Sequence, residues 1–168
     1  MFRGGLVGAR WIEPEDFHVT LRFLGDVDAL TAREFMFELS RVKKQPVRIA
    51  LDGLSVFGGD RPRAVIARVK SLRELMELQA EHERIARRVG LDPETRKFLP
   101  HITLARLRAV KSSAVAEFLG VLGFLPPLEF VATSFAVFSS RESVGGGPYV
   151  VEASYPLTDA ARTGPLTS

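Results

Sequence analysis

Two stretches decide the fold of this chain: residues 17–27 read FHVTLRFLGDV, and residues 100–110 read PHITLARLRAV. Each contains a histidine, any residue, a threonine and a leucine, and together they use two of the three histidines in 168 residues. Side chains alternate along a strand, so each histidine shares a face with the threonine two residues further on. The repeat therefore predicts two strands that each present an imidazole and a hydroxyl.

The segments around the two motifs also repeat. In each half the motif strand is followed by a helix, a strand that begins near a proline, a glycine-containing turn and another strand. Short elements joined by tight turns favour antiparallel sheets with helices packed on one side. We predict an α+β fold with two pseudo-symmetric lobes of antiparallel sheet, helices on their outer faces and an active-site cleft between them.

The apolar periodicity and the turn residues give approximate bounds for each element. Only 17 residues precede the first motif histidine, so the first lobe is expected to lack the strand and helix that precede the second motif. We expect one bilobal domain over residues 1–158 and a frayed tail over 159–168. The predicted elements are a strand 17–24, a helix 28–42 with Thr31 and Glu34 as a capping box, strands 47–57 and 63–69, a helix 71–89 ended by Gly90, a strand 101–107, a short helix capped by Ser112 or Ser113, and strands 128–140 and 148–157.

The composition excludes several classes of protein. There is no cysteine, so the chain has no disulfides, no thiolate nucleophile and no cysteine-based zinc site. No apolar run approaches the roughly 20 residues of a membrane span, and the first residues lack the apolar core of a signal peptide. We expect a cytoplasmic protein with no membrane partner. The net charge of +3 is only weak support for an anionic ligand, although arginine greatly outnumbers lysine.

Two histidines in matching strands provide an acid and a base. Free histidine titrates near pH 6.5, so one imidazole can be neutral while another is charged. Each such group typically adds roughly 10²- to 10⁴-fold to a rate. Two threonine hydroxyls beside them can donate to the oxygens of a bound phosphate. Two histidines without nearby acidic ligands do not make a closed metal site, so we expect no metal and no cofactor.

The two motifs resemble a known pair of signatures. His18-Val-Thr20-Leu-Arg-Phe23 is similar to HxTxxF, and His101-Ile-Thr103-Leu-Ala-Arg106 is similar to HxTxxR. Both are signatures of the two-histidine phosphoesterase superfamily, and in particular of the bacterial and archaeal RNA 2',3'-cyclic phosphodiesterases, also called 2'-5' RNA ligases. The resemblance runs from about Gly8 through Leu157. It departs from the family at the start, where members usually carry another strand and helix.

The resemblance implies a metal-free, ATP-independent enzyme that opens a ribose 2',3'-cyclic phosphate to a 2'-phosphate and can also join or split 2'-5' linkages. Its substrates would be RNA ends or cyclic nucleotides, and we expect a monomer. The alternative is a catalytically impaired module that binds RNA ends or nucleotide phosphates. The implied roles are His18 as acid and His101 as base, with the two labels interchangeable, Thr20, Thr103 and Arg106 as phosphate ligands, and Phe23 as a nucleoside contact.

Strict alternation disagrees with part of this assignment. Phe23 and Arg106 have the opposite parity to their histidines, so both should point away from the phosphate unless a bulge turns them. Phe23 is equally well explained as a core aromatic, and Arg106 as a surface residue. Arg22 has the parity of His18 and is a second candidate for substrate binding.

Three further features have ordinary explanations. His82 lies in the apolar arc of the 71–89 helix, which predicts a core histidine. Trp11 could stack on a base, but burial is the better interpretation. The glycines at 145–147 lack the lysine and serine or threonine of a phosphate loop and predict a hairpin end.

Overall fold

A computed structural model describes residues 5–122, 126–140 and 149–158. Their Cα atoms cluster into two compact units, each assembled from three stretches of chain. Unit 1 comprises Met1–Thr20, Ala50–Ser71 and Phe98–Glu129, and unit 2 comprises Leu21–Ile49, Leu72–Lys97 and Phe130–Ser168. The elements are β1 (Ala9–Trp11), α1 (Ala29–Ser40), β2 (Val47–Phe57), β3 (Ala64–Val69), α2 (Arg73–Arg88), β4 (His101–Leu107), α3 (Ser112–Leu122), β5 (Glu129–Ala132), β6 (Ser134–Ser140) and β7 (Tyr149–Pro156).

The α+β class and the antiparallel pairing are confirmed. A five-stranded sheet has the order β1-β4-β3-β2-β5, and a two-stranded sheet is formed by β6 and β7. The pairs β1–β4, β4–β3, β3–β2 and β6–β7 are all antiparallel. The compact units are not the two sequence halves, however, because each unit takes segments from both halves. Both motif histidines belong to unit 1.

One face of the β1-β4-β3 sheet in unit 1 is covered by α3. The buried cluster there consists of Leu6, Val65 of β3, Ala105 of β4 and Val115 of α3. Trp11 pairs with Ala105 across the β1–β4 ladder and packs on this cluster, with its ring 5.8 Å from that of Phe118. Trp11 is therefore partly buried against this cluster. Helix α3 lies on the sheet face opposite to His101 and Thr103.

The core of unit 2 is formed by helices α1 and α2 and by the β6–β7 hairpin sheet. Phe35 and Leu39 are the buried residues of α1, and α2 buries Leu75, Leu78, His82, Ile85 and Ala86. The hydroxyl of Tyr155 on β7 donates to the carbonyl oxygen of Met36 at 2.8 Å, which ties this strand to α1. Within the described residues, every helix is too short or too polar to cross a bilayer.

The predicted strand over 17–24 is wrong. Only Val19 makes a ladder contact, an isolated antiparallel bridge to Ile102. Beyond Thr20 the chain passes into unit 2, where the Arg22 side chain donates to Glu83 of α2 and to the carbonyl oxygen of Asp92. A strand that the sequence analysis did not predict, β1, pairs with β4 over only three residues, which is too short to show a periodicity.

The predicted capping box of α1 is also wrong. The cap is Asp28, whose Oδ1 accepts from the Thr31 amide at 2.8 Å and whose Oδ2 accepts from the Thr31 hydroxyl at 2.9 Å. Hydrogen bonds from Thr31 lower the pKa of Asp28, as expected for a carboxylate at a helix N-terminus. Thr31 thus lies three residues inside the helix, where a capping box would have its acidic member.

The remaining element bounds differ in detail. Gly90 follows α2 with φ of 95°, as its helix-ending role requires. Ser112 and Ser113 lie in the first turn of α3 rather than ahead of it. The predicted strand 128–140 is divided into β5, in the five-stranded sheet, and β6, in the hairpin. Residues 123–125, the 145–147 glycines and the tail after 158 lie outside the described residues.

Candidate active site

The two motifs lie side by side in unit 1. The antiparallel bridge between Val19 and Ile102 makes His18 the neighbour of Thr103, and Thr20 the neighbour of His101. These four side chains therefore share the sheet face opposite to Val19 and Ile102. The two histidines occupy diagonal positions, for which antiparallel geometry gives a separation of about 7–8 Å between Cα atoms. The repeated motifs thus meet on one surface.

The register between β3 and β4 extends this surface to Arg106. Arg68, Ile66 and Ala64 alternate along one face of β3, and their Cα partners on β4 are His101, Thr103 and Arg106. On β4, His101 and Thr103 are two residues apart, but Thr103 and Arg106 are three apart. The reason is that the register shifts between Ile66 and Val65. The shift is a bulge at residue 104, and it turns the remainder of β4 over by one residue. Arg106 consequently lies on the face of His101 and Thr103.

Burial agrees with this register. Ile102 is 6% exposed and Ala105 is fully buried, and their partners on β3, Ala67 and Val65, are also buried. Arg106 is exposed. The bulge therefore resolves the parity conflict for Arg106.

Both histidines are oriented by the same hydrogen bond. The Nδ1 of His18 lies 2.7 Å from the carbonyl oxygen of Asp16, and the Nδ1 of His101 lies 2.7 Å from that of Leu99. A carbonyl oxygen can only accept, so each Nδ1 carries a proton. In the neutral ring, Nε2 is then the basic nitrogen. These two carbonyl groups could not be predicted from the sequence, since a backbone acceptor leaves no signal in the residue types.

His101 is also held from the side. The ring of Phe57, at the end of β2, meets the imidazole edge-on, with 4.6 Å between the ring centroids. Phe57 and Ser55 pair with Ala64 and Ile66, so β2 contributes both side chains to the same face as the motifs. The packing restricts rotation of the imidazole beyond what its hydrogen bond to Leu99 does.

A second arginine lies opposite Arg106. Arg10 of β1 and Arg106 of β4 are direct partners in the ladder and therefore share a face. Like charges at directly opposed positions are unfavourable unless an anion or a carboxylate lies nearby. The only sequence signal for Arg10 was its place in a short segment before the first motif, and without the pairing this could not be connected with the site.

Arg22 is engaged in structural contacts within unit 2. Its Nε donates to Glu83 at 2.5 Å, and its terminal nitrogens donate to the carbonyl oxygens of Phe23 at 2.6 Å and Asp92 at 2.5 Å. Only 8% of the Arg22 side chain is exposed. Glu83 in turn accepts from the Glu94 amide at 3.0 Å, so this network joins α2 to the loop that follows it. Substrate binding by Arg22 stays a prediction, and none of these contacts supports it.

Solvent exposure decides between the alternative interpretations of Phe23 and of His82. Phe23 is 67% exposed, so its interpretation as a core aromatic is wrong. His82 is 5% exposed, as predicted for a core histidine. Its Nδ1 donates to the Leu78 carbonyl oxygen at 2.8 Å, and its buried Nε2 has no partner among the described residues. Desolvation lowers the pKa of His82 and so favours the neutral form of the ring.

Across residues 5–122, 126–140 and 149–158, no three histidine, aspartate or glutamate side chains lie close enough together to hold a metal ion.

Comparison with known proteins identifies relatives of this chain. The model of the family described as LigT-like phosphoesterase matches residues 3–67 and 68–149. An RNA 2',3'-cyclic phosphodiesterase of Aeropyrum pernix is 39% identical over 108 residues, which are 63% of this chain and 61% of that protein. A protein of the same name from Aquifex aeolicus is 33% identical over 152 residues, 87% of this chain and 81% of that protein. The chain thus spans about three fifths of the first relative.

Solved structures share the fold. The structure of Escherichia coli LigT complexed with 3'-AMP has a TM-score of 0.70 and 24% identity, and the match covers 90% of this chain and 83% of that one. The TT0787 protein of Thermus thermophilus has a TM-score of 0.71 at the same identity and coverage. At this level of identity, the match establishes the fold.

Proposed function

The chain belongs to the LigT-like phosphoesterase family, and on that premise we propose that it is a metal-independent phosphodiesterase that opens ribose 2',3'-cyclic phosphates to 2'-phosphates. The substrates are RNA ends or small cyclic nucleotides. The same site also joins and splits 2'-5' linkages. The observation that carries the proposal is the Val19–Ile102 bridge, which brings both motifs onto one face.

The reaction needs one group on each side of the phosphorus. In hydrolysis, the Nε2 of one histidine removes a proton from water, and the water oxygen forms a bond to phosphorus. The bond from phosphorus to the ribose 3'-oxygen breaks, and this oxygen takes a proton from the other histidine. We assign His101 as the base and His18 as the acid. The product is a 2'-phosphate with a free 3'-hydroxyl.

The two motif threonines and Arg106 stabilise the phosphate. The hydroxyls of Thr20 and Thr103 donate to its non-bridging oxygens, on which charge develops as the water attacks. Arg106, brought to this face by the bulge, adds a charge-assisted donor. Phe23 remains our candidate for the nucleoside contact, since its ring is exposed.

The test is hydrolysis of adenosine 2',3'-cyclic phosphate by the purified protein in the presence of EDTA. We expect a 2'-phosphate product, identified by ³¹P NMR, and a loss of roughly 10²- to 10⁴-fold in kcat for His18→Ala and for His101→Ala. Arg87→Met removes an exposed charge from α2 and serves as the matched control. A kcat close to the wild-type value in either histidine variant refutes the two-histidine mechanism. If a 3'-phosphorylated RNA binds but no product forms at any pH, the chain is a binding module instead.

We propose a monomer that acts in the cytoplasm on the ends of processed RNA. Size-exclusion chromatography with light scattering tests the oligomeric state, and fractionation of cells that express the protein tests the location. A stable dimer, or recovery from the membrane fraction, contradicts the corresponding part.

A further inference from the structure

A cavity of about 250 Å³ adjoins His101 in unit 1. It extends from the imidazole over the β3–β2 part of the face and along the segment that leads into β4. Its wall contains two basic side chains that the mechanism above does not use. The lining residues that matter here are Asp52, Ser55, Phe57, Arg68, Lys70 and His101.

Arg68 is positioned before any ligand binds. It is the direct ladder partner of His101, so it lies one strand away, about 4.8 Å in the direction of the backbone hydrogen bonds. Its Nε donates to the carbonyl oxygen of Asp52 at 2.8 Å. Within the described residues, its two terminal nitrogens make no further hydrogen bond. The guanidinium is therefore anchored on one edge and presents its remaining donors to the cavity.

The neighbouring strand is shaped to admit this side chain. β2 has a register irregularity between Leu51 and Leu54, and Gly53 within it has φ of 84°. A Cβ atom at Gly53 would lie 2.9 Å from a terminal nitrogen of Arg68. A side chain at this position would displace the guanidinium. The bulge and its glycine thus allow the arginine to lie flat against β2.

The charge around the cavity suits a single monoanion. Arg68 and Lys70 contribute two positive charges and Asp52 one negative charge, so the net charge of these three side chains is +1. The hydroxyl of Ser55 is an additional donor. A phosphodiester carries one negative charge and non-bridging oxygens that match a guanidinium fork. A group bound there lies immediately beside a phosphate held at His101.

We propose that this cavity binds the phosphodiester adjacent to the reacting phosphate, so that the site takes an RNA strand of at least two nucleotides. The inference rests on the proposed function, since it needs the reacting phosphate to lie at His101. The second phosphodiester can come from the nucleotide upstream of the cyclic phosphate. It can also come from the nucleotide beyond the reacting phosphate in a 2'-5' linked strand. The two arms of the experiment separate these sources.

In the first arm, kcat/KM is measured for adenosine 2',3'-cyclic phosphate and for the dinucleotide ApA ending in a 2',3'-cyclic phosphate. In the second arm, kcat/KM is measured for cleavage of 2'-5' linked ApA. It is compared with kcat/KM for the same dinucleotide extended by one more nucleotide through a 3'-5' phosphodiester. In one of the two arms the longer substrate should be preferred by about tenfold or more, the value of a charge-assisted hydrogen bond. The arm with the preference identifies the source of the phosphodiester.

Arg68→Met and Lys70→Met should each reduce that preference, while Arg87→Met should leave it unchanged. Lys70→Met is the second variant in case loss of the Asp52 contact disturbs the fold in Arg68→Met. Equal kcat/KM for short and long substrates in both arms, or a preference that survives both variants, overturns the proposal while leaving the phosphodiesterase activity intact. If no substrate is turned over, calorimetric binding of ApA 3'-phosphate against adenosine 3'-phosphate decides. If the two variants bind ApA 3'-phosphate more weakly than the parent protein does, but bind adenosine 3'-phosphate equally well, the subsite is supported even without activity. If the variants bind both ligands as the parent protein does, the subsite is refuted.

Discussion

His18 and His101 make the same hydrogen bond, each from Nδ1 to the carbonyl oxygen two residues earlier in the chain, and both bonds are 2.7 Å long. The acceptors, Asp16 and Leu99, lie in segments of different local structure: Asp16 in a short 3₁₀ turn over Pro14–Asp16, and Leu99 in the irregular chain before β4. The repeated motifs therefore agree in the tautomer of their histidines as well as in their residues. Matching tautomers are what an acid and a base with interchangeable roles require.

The first prediction concerns this tautomer. We expect both neutral rings to carry their proton on Nδ1, because a carbonyl oxygen offers no proton to an unprotonated nitrogen. Long-range ¹H–¹⁵N correlation spectra of the ¹⁵N-labelled protein at alkaline pH distinguish the two ring nitrogens. His18→Ala and His101→Ala assign the signals. A neutral ring protonated on Nε2 at either position would contradict the geometry of the site.

The second prediction concerns the pH dependence of hydrolysis. If one histidine must be neutral and the other charged, kcat/KM should rise and then fall with pH, and its two apparent pKa values belong to the pair. The measurement is kcat/KM for adenosine 2',3'-cyclic phosphate from pH 5 to 9 at constant ionic strength. A profile that only rises or only falls would be inconsistent with a paired acid and base.

The third prediction concerns Arg106 and the bulge at residue 104. Arg106→Met should lower kcat/KM by about tenfold or more, because it removes a charge-assisted donor to the phosphate. Arg106→Lys keeps the charge without the fork and should recover part of this loss. Arg87→Met is again the charge-matched control. Unchanged kinetics in Arg106→Met would mean that the side chain does not reach the substrate.

The fourth prediction concerns the Arg22–Glu83 ion pair. Arg22→Met should lower the free energy of unfolding by roughly 1–3 kcal/mol, because it removes the charged partner of Glu83, whose carboxylate is 20% exposed and keeps its bond to the Glu94 amide. Urea denaturation followed by circular dichroism gives this value. Arg73→Met is the control, since it breaks the exposed Arg73–Glu77 pair, which solvent screens, and should lower the stability much less. Equal losses in the two variants would show that the Arg22 network does not stabilise the fold.

The fifth prediction concerns the buried ring of His82. Desolvation lowers its pKa in the folded protein, so the unfolded chain binds a proton more readily below about pH 6.5. Stability is therefore full above that pH and falls as the pH decreases towards the lower folded-state pKa, with a slope of at most about 1.4 kcal/mol per pH unit. The check is urea denaturation between pH 7 and 5. His82→Leu should show a weaker dependence, and an equal slope in the two proteins would assign the effect to other groups.

His101 and Arg106, on the same strand, show which features could be predicted from the sequence and which could not. The elements themselves followed from local patterns: β2, β3, β4 and α2 lie close to their predicted bounds, since alternation and helical periodicity are properties of neighbouring residues. The same alternation placed Arg106 on the wrong face. The bulge that corrects it arises from hydrogen bonds to β3, about 40 residues away along the chain, and is invisible to local periodicity.

By itself, then, the sequence determined the α+β class, the two histidines with their threonines, and the lack of any thiol chemistry, because these depend on residue type and short-range spacing. Tertiary structure decided the rest: that the motifs meet through Val19 and Ile102, that backbone carbonyls set both tautomers, and that Arg10 and Arg68 join the same face. Each of these depends on the register between segments distant in the chain. Register is set by the summed burial and pairing of whole strands, and no single stretch of residues encodes it.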